Sequence, residues 1–412
     1  MHAIRSRAIA VLIATISVSA PITPDTSGCP NRVAPPPPVD LSEVPAPGGR
    51  VPEPLPLPVS PAGGERMGEC GLVLPEGAPA LPDGISATSW LLADAATGEV
   101  LAAKDPHARH RPASTIKLLT ALLVADRLPP DKIVVATEAD AAQEGSKAGI
   151  GPGGSYTVRQ LLAGLLLVSG NDAAHALAEQ LGGIPATITQ LNELAAELGA
   201  HDTRAATPSG LDGPGMSSSA YDLALVFGHV LHDPLLAELL STAVVDFPGF
   251  GDHPGFMVSN DNRLLANYPG ALGGKTGFTD DARHTYVGAA VRGGRPLMVV
   301  LLRGEQRPVP MWEQAARLLD YGFALPPGTA VGQLVTGTQL TETQLTETQP
   351  APSQSSQPHQ SATVPPPRSD GGGTASLSGS NDPGGIVMWP LWLALAISVL
   401  AVLGALFVRK RS

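Results

Sequence analysis

The sequence lacks the features that identify several large classes of enzyme. It contains no Gly-x-Ser-x-Gly, and its ten histidines are scattered, so the nucleophile elbow of a Ser-His-Asp hydrolase is missing. It has no basic patch, and its net charge of -11 disfavours nucleic acid as a partner. Any catalytic chemistry must therefore come from other motifs.

Cysteine is also scarce, because Cys29 and Cys70 are the only two among 412 residues. Since the two ends of the chain predict export, we expect an oxidising compartment and a disulfide between these residues. Closing a loop of about 40 residues would stabilise the fold by roughly 4 kcal/mol through chain entropy. Two unpaired thiols are the alternative.

Composition divides the chain into a folded centre and two tails. Of the 42 prolines, 26 lie outside residues 83–326, which indicates one folded domain with tails rather than several domains. We expect a signal peptide at residues 1–20, a proline-rich extended segment at 21–82, the catalytic domain at 83–326, a low-complexity linker at 327–385, a transmembrane helix at 386–408 and a cytoplasmic tail at 409–412.

The two ends predict where the domain lies. Arg5 and Arg7 precede a short apolar run that ends in small residues, as in a secretory signal peptide. Residues 386–408 are uninterrupted apolar sequence of the length that a bilayer needs, and three basic residues follow. Because positive residues stay inside, we expect a single-pass membrane protein with the folded domain outside.

Three short motifs occur in one order along the middle of the chain. They are Ser114-Thr115-Ile116-Lys117, Ser169-Gly170-Asn171 and Lys275-Thr276-Gly277. Each alone is weak, since a Ser-x-x-Lys or a Lys-Thr-Gly arises by chance in many chains. Together they specify a site that is acylated on serine.

The spacing of the first motif has a physical reason. Pro112 leads into an apolar-periodic run, which predicts a helix from Ser114 to Arg127 with Ser114 in its first turn. Residues three apart share a helix face, so the Lys117 amine lies beside the Ser114 hydroxyl. A lysine can serve as the base once burial or a second cation, such as Lys275, lowers its pKa. Amides of the first turn could donate to an oxyanion.

The other two motifs fall where such a site needs them. Thr157 and Gln160 form a predicted capping box that begins a leucine-rich helix ending before Ser169. Ser169 and Asn171 then lie at a junction between helices, where short polar side chains can reach a cleft. The glycines around Lys275 predict a strand edge that a substrate backbone can approach and pair with.

The pattern of elements predicts an α+β fold, with an antiparallel sheet of about five strands covered by helices and an all-helical insertion that bears Ser169. Two hairpins and a strand with Lys275 supply the sheet, at residues 90–94 with 99–103, at 285–292 with 297–302, and around 275. The predicted helices span residues 114–127, 158–168, 172–181, 185–198, 220–231 and 310–321.

With its flanking residues, this set of motifs resembles the serine D-alanyl-D-alanine carboxypeptidases, which are low-molecular-mass penicillin-binding proteins. The likeness covers residues 89–323 and includes Arg-Pro-Ala before Ser114, Asp-Ala-Ala after Asn171 and Phe-Thr after Gly277. It implies a β-lactamase/transpeptidase-like fold and release of the terminal D-alanine from peptidoglycan stem pentapeptides through an acyl-enzyme. It further implies β-lactams as covalent inhibitors, and no metal or other cofactor.

The resemblance also implies a role for each motif position. The catalytic residues would be Ser114 as nucleophile, Lys117 as base and Ser169 as proton relay to the leaving amine. Substrate would be bound by Asn171, Lys275, Thr276 and Gly277, and the oxyanion by the amides of Ser114 and Phe278. The segment 207–211 departs from the family's Asn-Pro-x-Gly-Leu by starting with Thr207, so no catalytic role is assigned to it.

Two other functions stay open. A class A β-lactamase shares the three motifs but needs a glutamate for deacylation, usually in Glu-x-x-Leu-Asn, which this sequence lacks. A membrane-tethered sensor or wall-binding module would tolerate loss of a motif residue, and none is lost. The sequence also leaves the balance between hydrolysis and transpeptidation open.

Three further groups of polar residues have structural interpretations. His175 and Glu179 are four apart on a predicted helix, a spacing that could hold a metal, but we interpret them as helix surface because no second ligand pair supports a site. Asp280 and Asp281 are interpreted as a turn. His284 is equally compatible with substrate contact and with an exposed loop.

Overall fold

The computed structural model describes residues 28–336. The predicted signal peptide, the transmembrane helix, the cytoplasmic tail and most of the linker lie outside these residues and stay predictions. Within the described part of the chain no single helix is long and apolar enough to span a bilayer, although the bent pair of helices at 220–232 and 234–241 qualifies by length and composition alone.

An antiparallel sheet is the centre of the fold. The strands of the described chain are β1 Leu72–Val73, β2 Ser89–Asp94, β3 Glu99–Lys104, β4 Ile133–Val135, β5 Ser155–Thr157, β6 Val244–Phe247, β7 Phe256–Ser259, β8 Ala271–Thr279, β9 Arg283–Arg292, β10 Arg295–Gly304 and β11 Gly332–Gln333. Seven of them form the main sheet in the order β1-β3-β2-β10-β9-β8, with β11 also paired to β3. The five predicted strands are its long members, and β8 lies at one edge.

Helices cover both faces of this sheet. They are α1 Lys117–Arg127, α2 Glu138–Ala141, α3 Val158–Leu167, α4 Asn171–Gln180, α5 Ile184–Leu198, α6 Ala220–His232, α7 Pro234–Ser241, α8 Arg263–Asn267 and α9 Met311–Ala324. On β10, Met298 and Val300 pack with the α6 side of the core, whereas Leu297 and Val299 pack with the α9 side. A strand buried on both faces explains the continuous apolar run of β10.

The chain between β3 and β8 corrects one prediction. This region was expected to be all-helical, but it also contains two antiparallel ribbons, β4 with β5 and β6 with β7. Their strands have three or four residues each, which is too short to show an alternating pattern. The predicted capping box is confirmed, because Thr157 and Gln160 satisfy each other's backbone amides at the start of α3.

The proline-rich segment is extended but is not a separate tail. We call residues 28–71 the N-terminal strap. Within it Cys29 and Cys70 form a disulfide, with their Cα atoms 5.1 Å apart. The buried guanidinium of Arg109 donates hydrogen bonds of 2.6 to 3.0 Å to the backbone carbonyls of Val33, Leu55 and Pro56. The strap is therefore packed against the domain that was predicted to begin at residue 83.

The C-terminal boundary of the folded domain also differs from the prediction. The linker was predicted to start at residue 327, yet Gly332 and Gln333 pair with Val100 and Glu99 of β3, and Val331 is buried. A two-residue strand is held by its partner rather than by a pattern of its own, so the sequence could not reveal it. The sheet thus extends past the predicted end of the domain.

A buried ionic network joins the strap to the domain. Asp202 accepts hydrogen bonds from Arg32 at 3.1 Å, Arg109 at 2.9 Å and His107 at 2.8 Å. Burial opposes its ionisation, but the hydrogen bond from His107 and the three nearby cationic groups lower the pKa of Asp202 to about 2. Burial and the neighbouring Asp202 raise the pKa of Asp222 to about 7. The network holds the strap through paired charges.

Candidate active site

The predicted nucleophile lies in a tight turn that leads into α1. Residues Ala113–Ile116 form a single 3₁₀ turn, and the α-helix itself begins at Lys117, so the helix starts three residues later than predicted. The Lys117 amine is nevertheless 2.8 Å from the Ser114 hydroxyl. The three-residue spacing places base and nucleophile on one face, as expected.

Lys117 is fully buried, and among residues 28–336 no carboxylate is hydrogen-bonded to its amine. Its amine donates to Ser114 Oγ, to Asn171 Oδ1 at 2.7 Å and to the carbonyl of Ser209. Burial, followed by the positive charge of Lys275, lowers the pKa of the Lys117 amine well below its usual value. A lysine in this state can be neutral and accept a proton from serine.

Ser169 and Asn171 come from the junction between α3 and α4, as the sequence predicted. Ser169 has a positive φ of 61°, a conformation that is uncommon for residues other than glycine and that occurs often at functional sites. Its hydroxyl is buried without a hydrogen-bond partner among the described residues. Asn171 spans the site, because its Oδ1 accepts from Lys117 and its Nδ2 donates to the Glu144 carbonyl at 2.6 Å.

The third motif lies on the edge strand β8. Lys275 is fully buried, and its amine donates to the Thr276 carbonyl at 2.8 Å. Burial lowers the pKa of Lys275, against the opposing charge of Asp261. The Thr276 hydroxyl donates to Asp261 Oδ2 at 2.9 Å. Asp261 was missed by the sequence reasoning, and its only signal was the polar triplet Asn260-Asp261-Asn262.

A cleft of about 500 Å³ contains most of these groups. Its residues come from the nucleophile turn, the loop between α2 and β5, the helix junction, the start of α8 with the segment before it, the strands β8 and β9, and the start of α9 with the segment before it. They are Ser114, Ser146, Ser169, Asp261, Arg263, Thr276, Gly277, Phe278, His284, Thr285, Tyr286, Gln306, Pro310, Met311 and Trp312. The cleft therefore collects residues from six separate parts of the chain.

The backbone of the nucleophile turn fits tightly against β8. A Cβ on Gly277 would lie 3.0 Å from the Ser114 amide nitrogen and 2.3 Å from Thr285 Oγ1. Ala113 has a positive φ of 47°, and its carbonyl oxygen would be only 2.0 Å from a Cβ on Gly210. Only glycine fits at 210 and 277, so the turn is held close to the strand that carries Phe278.

Asp172 organises the loop that faces the cleft, and the sequence reasoning gave it no role. Its fully buried carboxylate accepts from the backbone amides of Ala148, Gly149 and Ile150 at 2.7 to 3.2 Å. The Asn171 amide donates to the Ser146 carbonyl at 2.7 Å in the same region. The residue after Asn171 thus fixes the loop that carries Ser146.

The segment at 207–211 also contributes more than expected. No role was assigned to it because its first residue departs from the family pattern, yet the Ser209 carbonyl accepts from Lys117 and Gly210 packs against Ala113. Both contributions come from the backbone. The Thr207 side chain holds this backbone in place, because its hydroxyl donates to the Leu211 carbonyl at 2.8 Å and accepts from the Gly210 amide at 3.1 Å.

The remaining predictions concern metals and charged neighbours. His175 donates or accepts a hydrogen bond with Asp140 at 2.6 Å, which ties α4 to α2. Asp281 lies in the β8–β9 turn, as predicted, and His284 lines the cleft. Within residues 28–336 one group has the spacing of metal ligands, namely His107, Asp202 and Asp222. Because Asp202 is already bound by two guanidiniums, this group forms an ionic network and fits a cation poorly.

Comparisons with known proteins identify the family of the chain. A family model described as D-alanyl-D-alanine carboxypeptidase matches residues 76–306. The chain belongs to this family. It is 49% identical over 267 residues to the D-alanyl-D-alanine carboxypeptidase DacB2 of Mycobacterium tuberculosis, which covers 64% of this chain and 90% of that relative. It is 33% identical to DacF of Bacillus subtilis, over 58% of this chain and 62% of that relative.

Solved structures show the same fold. A D-alanyl-D-alanine carboxypeptidase from Mycobacterium tuberculosis aligns with a TM-score of 0.61 and 47% identity, over 64% of this chain and all of that one. A Streptomyces K15 DD-transpeptidase aligns with a TM-score of 0.57 and 30% identity, over 59% of this chain and all of that one. The predicted α+β fold of the penicillin-binding proteins is therefore confirmed.

Proposed function

We propose that this carboxypeptidase removes the terminal D-alanine from peptidoglycan stem pentapeptides through an acyl-enzyme on Ser114. The observation that carries the proposal is the 2.8 Å contact between the Ser114 hydroxyl and the Lys117 amine, whose pKa is held low by burial and by Lys275. This pair supplies a nucleophile with its own base.

Acylation uses the groups around that pair. Neutral Lys117 takes the Ser114 proton as Oγ attacks the carbonyl of the penultimate D-alanine, and the amides of Ser114 and Phe278 receive the oxyanion. Ser169, whose hydroxyl is buried without a partner, passes the proton to the departing amine. The C–N bond breaks, free D-alanine leaves, and the shortened peptide stays attached to Ser114 as an ester.

Deacylation returns the enzyme to its starting state. Water adds to the ester with Lys117 again as base, the C–O bond to Ser114 breaks, and the peptide leaves with a carboxylate on its new terminal D-alanine. Lys275 and Thr276 select the substrate by its C-terminal carboxylate. The peptide backbone pairs with the open edge of β8 as an added strand, while Gly277 lets the nucleophile turn lie close against that strand.

The cleft itself bears on the β-lactamase alternative. None of its lining residues, within the described chain, is a glutamate, and its one carboxylate, Asp261, accepts from the Thr276 hydroxyl. The glutamate that activates a deacylating water in class A β-lactamases therefore has no counterpart among these residues. We therefore infer slow turnover of β-lactams, which would acylate Ser114 and remain bound.

The proposal is tested with a defined pentapeptide and the purified protein. Mass analysis should show loss of one D-alanine with wild type and none with Ser114→Ala, and a fluorescent penicillin should label only wild type. Adding an acceptor amine tests for a transpeptidation product in the same assay. Rapid penicillin hydrolysis without D-alanine release would overturn the proposal in favour of a β-lactamase.

We also propose that the enzyme acts outside the cell membrane, where it is held by a C-terminal helix and reaches the wall through its linker. The apolar stretch at 386–408 with the basic residues after it supports this placement. Protease treatment of intact cells should remove the catalytic domain from the membrane fraction. A domain that is protected until the cells are lysed would contradict the placement.

A further inference from the structure

The N-terminal strap reaches two elements that each carry part of the oxyanion hole. The strap precedes residue 76, where the match to the family model begins. Its residues 36–43 contact Arg111, which leads into the nucleophile turn, and Asp281, which lies in the turn that follows β8. These two elements are about 170 residues apart in sequence.

Arg111 is the first contact. Its guanidinium is buried and donates to the carboxylate of Glu43 and, at 2.7 Å, to the carbonyl of Pro36. Arg111 is followed by Pro112 and by Ala113, whose positive φ of 47° is a conformation that the surroundings must maintain. The strap therefore fixes the chain at the entry of the turn that places the Ser114 amide.

Asp281 is the second contact. Its side chain has no exposed surface, and it accepts hydrogen bonds from the Val39 amide and, at 3.3 Å, from the Ser42 hydroxyl. Asp281 lies in the turn between β8, which carries Phe278, and β9. The Asp281 carboxylate is also 4.0 Å from the Arg111 guanidinium. The strap, the segment before the nucleophile turn and the β8–β9 turn are therefore all in contact with one another.

We propose that residues 36–43 of the strap are a positioning element, which holds the nucleophile turn and the β8–β9 turn at the separation that the oxyanion hole needs. The proposal rests on the proposed function for the roles of the Ser114 and Phe278 amides. Loss of one oxyanion donor slows catalysis by roughly 10²–10³-fold, and a displacement of about 1 Å by roughly 10²-fold. If the strap no longer fixes the two turns, the oxyanion hole keeps both donors but holds them less precisely, so the catalytic rate should fall by less than it does when a donor is removed.

The principal variant is Glu43→Ala, which removes the carboxylate from Arg111. We expect acylation by a penicillin to slow by roughly ten-fold through its first-order step. The affinity of the non-covalent complex should stay unchanged, because Lys275 and Thr276 are not touched. The matched control is Glu53→Ala, at an exposed position further along the strap, and it should behave as wild type. Ser42→Ala, which removes one contact to Asp281, should give a smaller loss of about two-fold in the same step.

Hydrogen exchange gives a readout that does not depend on activity. In Glu43→Ala, peptides covering residues 109–116 and residues 277–284 should both exchange faster, whereas Glu53→Ala should leave both unchanged. Faster exchange in the strap alone, or acylation at the wild-type rate in Glu43→Ala, would overturn the proposal. If wild type were not acylated at all, the proposed function would fail, and the exchange of the two turns would still decide whether the strap positions them.

Discussion

Two buried groups of charges in this protein are stabilised in opposite ways. Beneath the strap, the Asp202 carboxylate accepts hydrogen bonds from Arg32, Arg109 and His107 and is paired with the two guanidiniums. In the catalytic centre the Lys117 amine has oxygen acceptors but no ion pair. In the network, the Asp202 carboxylate stays ionised because cationic groups surround it. In the catalytic centre, burial and the charge of Lys275 favour the neutral form of the Lys117 amine.

The difference shows how burial can serve either structure or chemistry. A paired buried charge is destabilising mainly when one partner is removed. An unpaired buried amine has its pKa shifted toward the working pH, which makes it a base. Variants that remove a charge should therefore affect stability in the network and activity in the catalytic centre.

The largest expected effect is on activity. Lys117→Met replaces the base by an apolar side chain of similar length, so acylation by a fluorescent penicillin should fall by roughly 10³–10⁴-fold. The melting temperature should not fall, because no buried charge is left unpaired. A large fall in melting temperature with acylation preserved would show that Lys117 is structural.

The next effect is on stability. Asp202→Asn leaves two guanidiniums buried without their carboxylate, so the free energy of unfolding should decrease by about 3 kcal/mol, measured by urea denaturation. Acylation below the unfolding transition should change little. Asp246→Asn, at an exposed position, is the control. Equal stability of the two variants would contradict the paired-charge interpretation.

A pH-dependent effect of intermediate size is expected at Asp222. Its pKa is raised to about 7, first by burial and then by Asp202, so the folded state of wild type loses stability as pH rises from about 4 through 7. Asp222→Asn cannot ionise but keeps an oxygen that can accept from the Asp202 amide and the Thr203 hydroxyl. It should be more stable than wild type above pH 7 by at most about 4 kcal/mol, the free energy that corresponds to this shift in pKa.

The gain from Asp222→Asn should shrink as the pH falls toward 4 and vanish below about pH 3, because the carboxyl of wild type is then protonated in both states. Urea denaturation at several pH values between 4 and 8 measures the difference. A gain that is the same at all pH values would show that ionisation of Asp222 is not its cause.

The smallest effect is expected in the cleft at Asp261, which is exposed to solvent. Its charge opposes the lowering of the pKa of Lys117 and Lys275 and would repel a substrate carboxylate bound at Thr276. Asp261→Asn should bind the pentapeptide at most about five-fold more tightly, the effect of a unit charge about 4 Å away in water. The acidic limb of its pH profile should also move to lower pH.

A pentapeptide with a C-terminal amide is the control for Asp261→Asn. It carries no terminal charge, so its KM should be the same for wild type and variant at low salt. Equal tightening for the acid and the amide would rule out repulsion of the carboxylate as the cause.

The sequence was sufficient to predict the catalytic core because its motifs are local. Ser114 and Lys117 are three residues apart on one turn, and the glycines beside Lys275 mark where a backbone must approach. The long strands β9 and β10 could be predicted for the same reason, since each shows a continuous pattern. The roles assigned to Ser169 and to the oxyanion amides stay predictions.

The rest of the site depends on contacts that leave no local pattern. The Ser209 carbonyl, the Asp172 carboxylate and Asp261 act through bonds to segments far away in sequence. The strap is the clearest case, because its prolines predicted an extended chain but gave no sign that Glu43 meets Arg111. Such pairings become visible only when the fold brings the segments together.

The open edge of β8 has a consequence for solubility. An unpaired strand edge is a template on which any extended chain, including another copy of the same sheet, can add and start aggregation. Here residues 276–278 of that strand line a cleft together with Ser169 and Asp261, and a cleft of about 500 Å³ has room for a peptide end but not for a broad sheet. The cleft residues that would select a substrate would then also limit pairing of β8 with the sheet of another copy of the protein.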